Sequence, residues 1–533
     1  MGPSTLLLPC LLLLSSSSSP AQGQNIERRL GPLREVFAWK QLTFDINGHT
    51  LLRDRFGGID EASEADAEAD VEATRERRQA DSVYFIQPDS DRNQGEQGNA
   101  NNRPNSSYGG GNRPNQNNGN RPNQNNGNRP SQSNGNRPNN GFENQGSGNG
   151  GSRPTVTSTT ARPSNESGRF FVQYNNVPMG VERVGNRLFV TVPRRRFGIP
   201  STLNYIDLTR SSNTRSPSLK PYPSLRQGSS LVSIYRTRAD SCGRLWAVDT
   251  GLWEIPDNRR QVQPPAIVIF DLNRNRQIKR YEFKSTDIPS ENTPAGLASI
   301  TIDMKDGDCA NAFAYVPDLN TNGIIVYSLR EDDSWRLTHN YMHFNPLASN
   351  LNIAGQRFQW NDGIFSITLS PTSSDGCRVA YFHPMVSTQE FSVSTCVLKN
   401  RTAADGSDYW TRFNLLGERG ANSQSTMHGL HDRTGVVFYA DVGRNALSCW
   451  NSATQLVSSN VVILAQDSTR LSYPSDLHVT GDEVWLMVNS MPRFIYSRLD
   501  TNEYSFFIYR GSVNDLIMNT PCADGLTLGL SSS

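Results

Sequence analysis

The sequence predicts an all-β protein, a six-bladed β-propeller with a long disordered insert near its N-terminus, on three observations. First, LFVTVPR (188–194), LWAVDTG (245–251), AFAYVPDLNTNG (312–323), VAYFHPMVS (379–387), VVFYADVGRN (436–445) and VWLMVNSM (484–491) are six short apolar strands, each running into polar or turn residues. Second, each follows an apolar segment and a tight turn, as SIYRTRADSCGR precedes LWAVDTG, and each is followed by a third strand, from LNYIDL in the first repeat to FIYSRL in the last. Fourth strands fit IKRYEF, WRLTHN, YWTRFNLL, VVILAQD and YSFFIYRG, and repeat spacings of about 48 to 68 residues suit radial repetition, which leaves only short, protected sheet edges. Third, residues 57–168 change composition, from the acidic run IDEASEADAEADVEA to an eight-residue period, NRPNQNNG, rich in Pro, Gly and Asn. Such a segment buries too little apolar surface to offset the entropy of ordering.

In chain order, residues 1–23 read as a secretory signal, an apolar block from Leu6 to Leu14 followed by small residues. Nothing later approaches the ~18 uninterrupted apolar residues of a membrane span, so a secreted, extracellular protein is expected. EVFAWKQLTFDI (35–46) alternates as a strand and is expected to close the ring, with 57–168 looping out before the propeller proper at 169–522. Arg75-Glu-Arg-Arg78 matches a convertase pattern in exposed chain, and Asn105, Asn165 and Asn400 head glycosylation sequons. The insert reads as a spacer, or as a matrix-adhesive segment through its repeated Arg and Asn side chains.

Cys10 leaves with the signal, and the six remaining cysteines suit disulfides in an oxidising compartment. Cys242 and Cys309 occupy the same turn of neighbouring repeats and are paired on that ground. Cys377 and Cys396 belong to one blade, which leaves Cys449 with Cys522. Charge is balanced, 52 basic against 51 acidic residues, which argues against a nucleic-acid partner or an anionic membrane surface.

In a propeller the first strand of each blade lines the central channel, and the loops after the second strands share one face. Asp249, Asp318, His383, Asp441 and Asn489 therefore ring that face, with Trp246, Phe382 and Trp485 as candidate apolar walls for a small aromatic amine or quinone. The competing reading is that Asp and Asn at strand ends cap backbone amides. His383 and His428 are candidate proton-transfer groups, although no hydrolase, zinc-protease or phosphate-loop motif accompanies them. Glu182, Asn361 and Asp476, on or near first strands of three blades, are candidate oxygen ligands for Ca²⁺ in a lactonase-like hydrolase; no other cofactor is expected.

CGRLWAVDTGL (242–252), FVTVPRRRFGIPSTLNYI (189–206), LKPYPS (219–224), FAYVPDLNTNGIIVYSL (313–329), FSITLSP (365–371), SCWN (448–451) and YPSDL (473–477) together resemble the insect Yellow and major royal jelly protein family. The resemblance covers residues 35–46 and about 170–522 and stops at the insert. It implies a secreted six-bladed propeller. Its members are linked to melanin pigmentation and cuticle; a few convert dopachrome, salivary relatives bind biogenic amines, and others are nutritive or structural. The leading expectation is a pigmentation-pathway protein that binds a catechol-derived or amine ligand, with dopachrome conversion or a ligand-free cuticle-matrix role as alternatives. Asn489 matches the amide of the amine binders, whereas Met491 stands where they carry an aromatic ring.

Overall fold

In the computed structural model the described residues are 28–55, 170–256, 258–288 and 296–523, and all belong to one compact unit. Residues 1–23, the insert 57–168, the Arg75–Arg78 site and the sequons Asn105 and Asn165 lie outside them; Asn400 lies within and is exposed. No helix among the described residues is long and apolar enough to cross a membrane.

Six antiparallel sheets form the blades. Blade 1 comprises Val181–Val184, Arg187–Thr191, Leu203–Asp207 and Lys220–Pro221. Blade 2 comprises Ile234–Ala239, Arg244–Asp249, Ala266–Asp271 and Arg276–Glu282. Blade 3 comprises Thr301–Asp303, Phe313–Asp318, Gly323–Ser328 and Asp333–Thr338. Blade 4 comprises Ile364–Leu369, Val379–Pro384, Gln389–Ser394 and Phe413–Glu418. Blade 5 comprises Ser425–His431, Val436–Asp441, Ala446–Asn451 and Val461–Gln466. Blade 6 comprises Pro474–Thr480, Glu483–Val488 and Phe506–Ser512, with Leu33–Trp39 as its outer strand. The first strands touch in sequence around a closed ring, blade 6 against blade 1 included.

Inner strands such as AIVIFD and VVFYAD are buried on both faces because each blade packs against a neighbour on either side, so they read as apolar runs rather than alternations. Hairpins between second and third strands use one device in blades 3 and 5. Asp318 and Asp441 each accept a backbone N–H two or three residues on, and Asn322 and Asn445 take the left-handed conformation (φ 56° and 52°) that closes the loop.

Two sequence expectations change. FIYSRL is not a strand: Pro492 opens a short helix, Met491–Tyr496, so Phe506–Ser512 becomes the third strand of blade 6 and the N-terminus supplies the fourth. Nor is 35–46 one strand. Leu33–Trp39 pairs with blade 6, and Phe44–Ile46 turns back on His49–Leu51 through Asn47-Gly48, both at positive φ, while Asp45 Oδ1 accepts the Gly48 N–H. The segment also binds the loop before the fourth strand of blade 1. Trp39 Nε1 donates to the Pro217 carbonyl (2.8 Å), and Asp45 N donates to the Leu219 carbonyl (2.8 Å). One stretch therefore ties the last blade to the first.

Three disulfides add to this. Cys242–Cys309 joins blades 2 and 3, Cys377–Cys396 lies within blade 4, and Cys449–Cys522 ties the third strand of blade 5 to the C-terminal turn.

Candidate functional site at the channel mouth

The ring of second-strand ends is present, and its side chains are occupied. Asp249 is fully buried; it accepts from the Val232 and Ser233 amides (3.1 and 2.8 Å) and pairs with Arg280 at 3.1 Å. Asp318 accepts from the amides of Gly296, Asn320 and Thr321 and pairs with Arg336. Asp441 holds Arg444 (3.1 Å) and Ser448 (3.0 Å), and burial pushes its carboxyl up to about 6. Asn489 Nδ2 donates to the Pro178 carbonyl (2.6 Å), and its Oδ1 accepts from Met491 N. Trp246, Phe382 and Trp485 are packed inside the blades, Trp485 with its indole N–H on Glu483. These groups hold turns and blade junctions.

The three candidate calcium ligands do not converge. Glu182 and Asp476 meet across blades 6, 1 and 2, but two arginines lie between them. Arg238 reaches Asp476 at 3.0 Å and Glu182 at 3.6 Å, Arg236 lies 3.6 Å from Asp476, and His478 Nδ1 lies 2.7 Å from Glu182. Asn361 is exposed and lines an open cleft of ≈ 480 Å³ with Phe344, Pro346, Ser349, Gln359 and Trp360. With two guanidiniums already countering the two carboxylates, the set is a poor host for a hard dication. His383 and His428 do come together, with ring centroids 4.5 Å apart, but fully inside the seam between blades 4 and 5.

The open chemistry lies one strand further in, on the same face. Because first and second strands are antiparallel, the start of one lies beside the end of the other, as Ile234 lies opposite Asp249 and Pro474 opposite Val488. At or just before those starts stand Tyr235, Asp362 and Tyr473, from blades 2, 4 and 6. From the loop after the second strand of blade 1 comes Arg195, and from the blade 6 helix comes Tyr496. Arg195's charge acts on all four of the others, so one guanidinium is shared by a carboxyl and three phenols. Burial raises the Asp362 carboxyl from 3.8 to about 6 even with Arg195 pulling it down. Burial likewise raises Tyr235, Tyr473 and Tyr496, which stay protonated donors at neutral pH. The Tyr235 hydroxyl is buried with no hydrogen-bond partner among the described residues.

Arg236 spans the channel at this level, donating to the Ser475 carbonyl of blade 6 and the Ala298 carbonyl beside blade 3 and lying 4.9 Å above the Phe365 ring of blade 4. An aromatic wall borders the cluster. Trp360 Nε1 donates to Tyr496 Oη (2.6 Å), Phe358 stacks on Tyr496 (4.8 Å), and Trp360 meets Tyr473 edge-on (6.1 Å). Phe358 belongs to the hairpin Asn350–Ile353/Gln356–Gln359 and Trp360 follows it, so this blade 3–4 connection carries one side of the mouth. A carboxyl near pKa 6, a guanidinium, phenolic donors and flat apolar rings are the parts needed to seat an oxidised aromatic and move its protons.

The major royal jelly protein family model matches residues 232–522. The chain belongs to that family. Over 356 residues it is 47% identical to the L-dopachrome tautomerase yellow-f of Drosophila melanogaster, covering 66% of this chain and 82% of that protein. It is 39% identical over 361 residues to the Protein yellow of Drosophila yakuba, covering 66% of this chain and 65% of that protein. Among solved structures a streptogramin B lyase aligns over 64% of this chain and 94% of its own, at 11% identity and a TM-score of 0.34, too distant to bear on the site.

Sequence reasoning named the second-strand ends, whose side chains are held by partners of their own chain, and did not name Arg195, Tyr235, Asp362, Tyr473 or Tyr496. SIYR, WNDGIF and SYPSD place Tyr235, Asp362 and Tyr473 within two residues of first-strand starts, but not at matching register positions, so no repeat pattern singles them out. Within the RRR run at 194–196 the three side chains divide. Arg194 is fully buried on four backbone carbonyls, Arg195 serves the mouth, and Arg196 lies over the Phe494 ring at 4.0 Å.

Proposed function

We propose that the protein is a secreted pigmentation-pathway enzyme that tautomerises a dopachrome-like aminochrome, an o-quinone carrying a carboxylate, at the channel mouth. The observation that carries this reading is Arg195, the common neighbour of Asp362, Tyr235, Tyr473 and Tyr496. In this reading Arg195 binds the anionic oxygens of the substrate, and the rings of Phe358, Trp360 and Tyr496 flank its plane. Asp362 takes a proton from ring carbon, and the phenol of Tyr235 or Tyr473 donates a hydrogen bond to the quinone oxygen that gains electron density and then receives the proton. No electrons are gained or lost overall. A carboxyl with a pKa near 6 is ionised enough at neutral pH to act as base and acidic enough to return the proton. The 47% identity to a protein named as a dopachrome tautomerase supports the choice of substrate class, and the signal-like leader with the disulfides supports secretion.

Simple binding of an aromatic amine is the second reading, favoured by the carboxyl of Asp362 beside rings. Arg195 weakens it, because a guanidinium next to the carboxylate repels an ammonium. Loss of the dopachrome absorbance, followed with the full chain, separates the two. Wild type should exceed the spontaneous rate, and Asp362→Asn should lower the catalysed rate by about 100-fold or more. A wild-type rate equal to the spontaneous one, with calorimetric heat on adding dopamine or serotonin, would replace enzyme by binder.

A further inference from the structure

A second cluster, buried and remote from any opening, has a donor set that the proposed reaction leaves unused. His383 is on the second strand of blade 4, Glu390 on its third and His428 on the first strand of blade 5, all essentially without solvent exposure. His383 Nδ1 lies 3.0 Å from Glu390 Oε2, and His383 Nε2 lies 3.2 Å from the Ser425 carbonyl. A neutral imidazole carries one proton. Placed on Nε2 for the carbonyl, it leaves a bare Nδ1 against a carboxylate oxygen; placed on Nδ1, it sets a bare Nε2 against the carbonyl. Either tautomer sets acceptor against acceptor. His428 Nε2 and Glu390 Oε1 approach to 3.2 Å, within ionic distance but off the line of a hydrogen bond, and neither atom has a hydrogen-bond partner among the described residues. Two imidazoles and a carboxylate thus crowd together out of solvent, with His383 unable as a neutral ring to satisfy both of its contacts, an arrangement that calls for a cation.

We propose that His383 Nδ1, His428 Nε2 and Glu390 hold one divalent transition-metal ion, zinc by donor set, as a staple between blades 4 and 5. His383 Nδ1 and His428 Nε2 lie 3.0 and 3.2 Å from the two different oxygens of Glu390, and all three ligand atoms lie within 4.8 Å of one another, a spread that small side-chain shifts can bring to the roughly 3.3 Å expected of ligands about 2.0–2.1 Å from one tetrahedral ion. The outer contacts are those that metal-bound imidazoles make. His383 Nε2–H faces the Ser425 carbonyl, and His428 Nδ1 lies 2.6 Å from Ser366 Oγ, while Arg419 donates to Glu390 Oε2 at 2.8 Å and fixes the carboxylate. Tyr439, whose ring stacks on His428 with centroids 5.8 Å apart, adds a buried hydroxyl without a hydrogen-bond partner among the described residues. Two imidazole nitrogens disfavour Ca²⁺ and Mg²⁺, which select oxygen donors, and suit ions that gain from nitrogen ligation. No disulfide joins these two blades among the described residues, so the ion would do there what Cys242–Cys309 does between blades 2 and 3.

The test uses the full chain purified from a secretory eukaryotic host without chelator. Elemental analysis should find about one zinc per chain. Stripping with a chelator should lower the melting midpoint by about 5 °C, and zinc alone, but not calcium or magnesium, should restore it. His428→Gln should bind no zinc and melt at one temperature with or without chelator. Metal-free protein whose midpoint ignores added zinc would overturn the proposal and leave a proton on His383 as the cation; so would stoichiometric zinc in His428→Gln. If that variant does not fold, the zinc titration of stripped wild type decides.

Discussion

Two rings of residues share one face of the propeller and differ in one respect. At the second-strand ends, Asp249, Asp318, Asp441 and Asn489 each have amides, hydroxyls or guanidiniums of their own chain as partners. Near the first-strand starts, Tyr235 has an unpartnered hydroxyl and Asp362 a carboxyl raised to about 6. Both sets are polar; the outer one recurs at second-strand ends around the ring, and the inner one comes from near the first-strand starts of blades 2, 4 and 6. The outer set spends its polarity on making turns and joining blades; in the inner set the Tyr235 hydroxyl has no partner among the described residues, and Tyr496 takes only the Trp360 indole N–H. Buried polar groups in folded proteins are normally satisfied, so the unpartnered Tyr235 hydroxyl beside the raised Asp362 carboxyl is a place where chemistry is expected.

This contrast can be broken from either side, and the largest effect belongs to the outer ring. Asp249→Ala strands Arg280 and two buried amides and should lower unfolding free energy by about 3–5 kcal/mol, read by denaturant titration, with turnover per folded molecule unchanged. Arg195→Gln should leave the fold intact and raise the dopachrome KM by about tenfold to a hundredfold, about 1.5–3 kcal/mol, because one charge-assisted contact is lost. If Asp249→Ala instead abolished turnover in a fully folded protein, the two rings would have to exchange roles.

Next in size is a pH effect. The folded-state carboxyl of Asp362 is raised from 3.8 to about 6, so its contribution to stability is fully present below about pH 4 and is lost as pH rises through 6. Asp362→Asn should therefore be more stable than wild type by about 2–3 kcal/mol at pH 7.5 and equal to it at pH 4, checked by paired denaturant titrations. Asp441, raised by burial in the same range, keeps part of that slope in the variant. The smallest effect is Trp360→Phe, which removes the hydrogen bond to Tyr496 and should cost about 0.5–1.5 kcal/mol, seen as a melting shift of a few degrees at most.

Much of this was legible in the residues. Six apolar strands with Asp or Asn after them announce the repeat, and the spacing of Cys242 and Cys309 announces their pairing, because both are set by local pattern repeated around a ring. FIYSRL was misjudged because an apolar run of that length suits a strand or a buried helix, and only Pro492 in the helix's first turn separates the two. Asn47-Gly48, both at positive φ, makes the hairpin that ends the single strand expected over 35–46. The site itself was harder. Asp362 lies next to the exposed Asn361, and its environment is made by Arg195, more than a hundred residues earlier, and by Tyr473, more than a hundred later, so no local pattern reveals its raised pKa. The pairing of His383 and His428 with Glu390 likewise depends on strand register across a blade boundary.

The central claim is that Asp362 moves the proton, and the pH dependence of kcat/KM for dopachrome tests it most directly, corrected for the spontaneous reaction at each pH. The account predicts a wild-type rate that climbs through a limb near pH 6, where the Asp362 carboxyl ionises, and then levels off. In Asp362→Asn that limb disappears and the residual rate is low. A variant that keeps both the limb and the wild-type rate would contradict the account and move the chemistry away from the channel mouth.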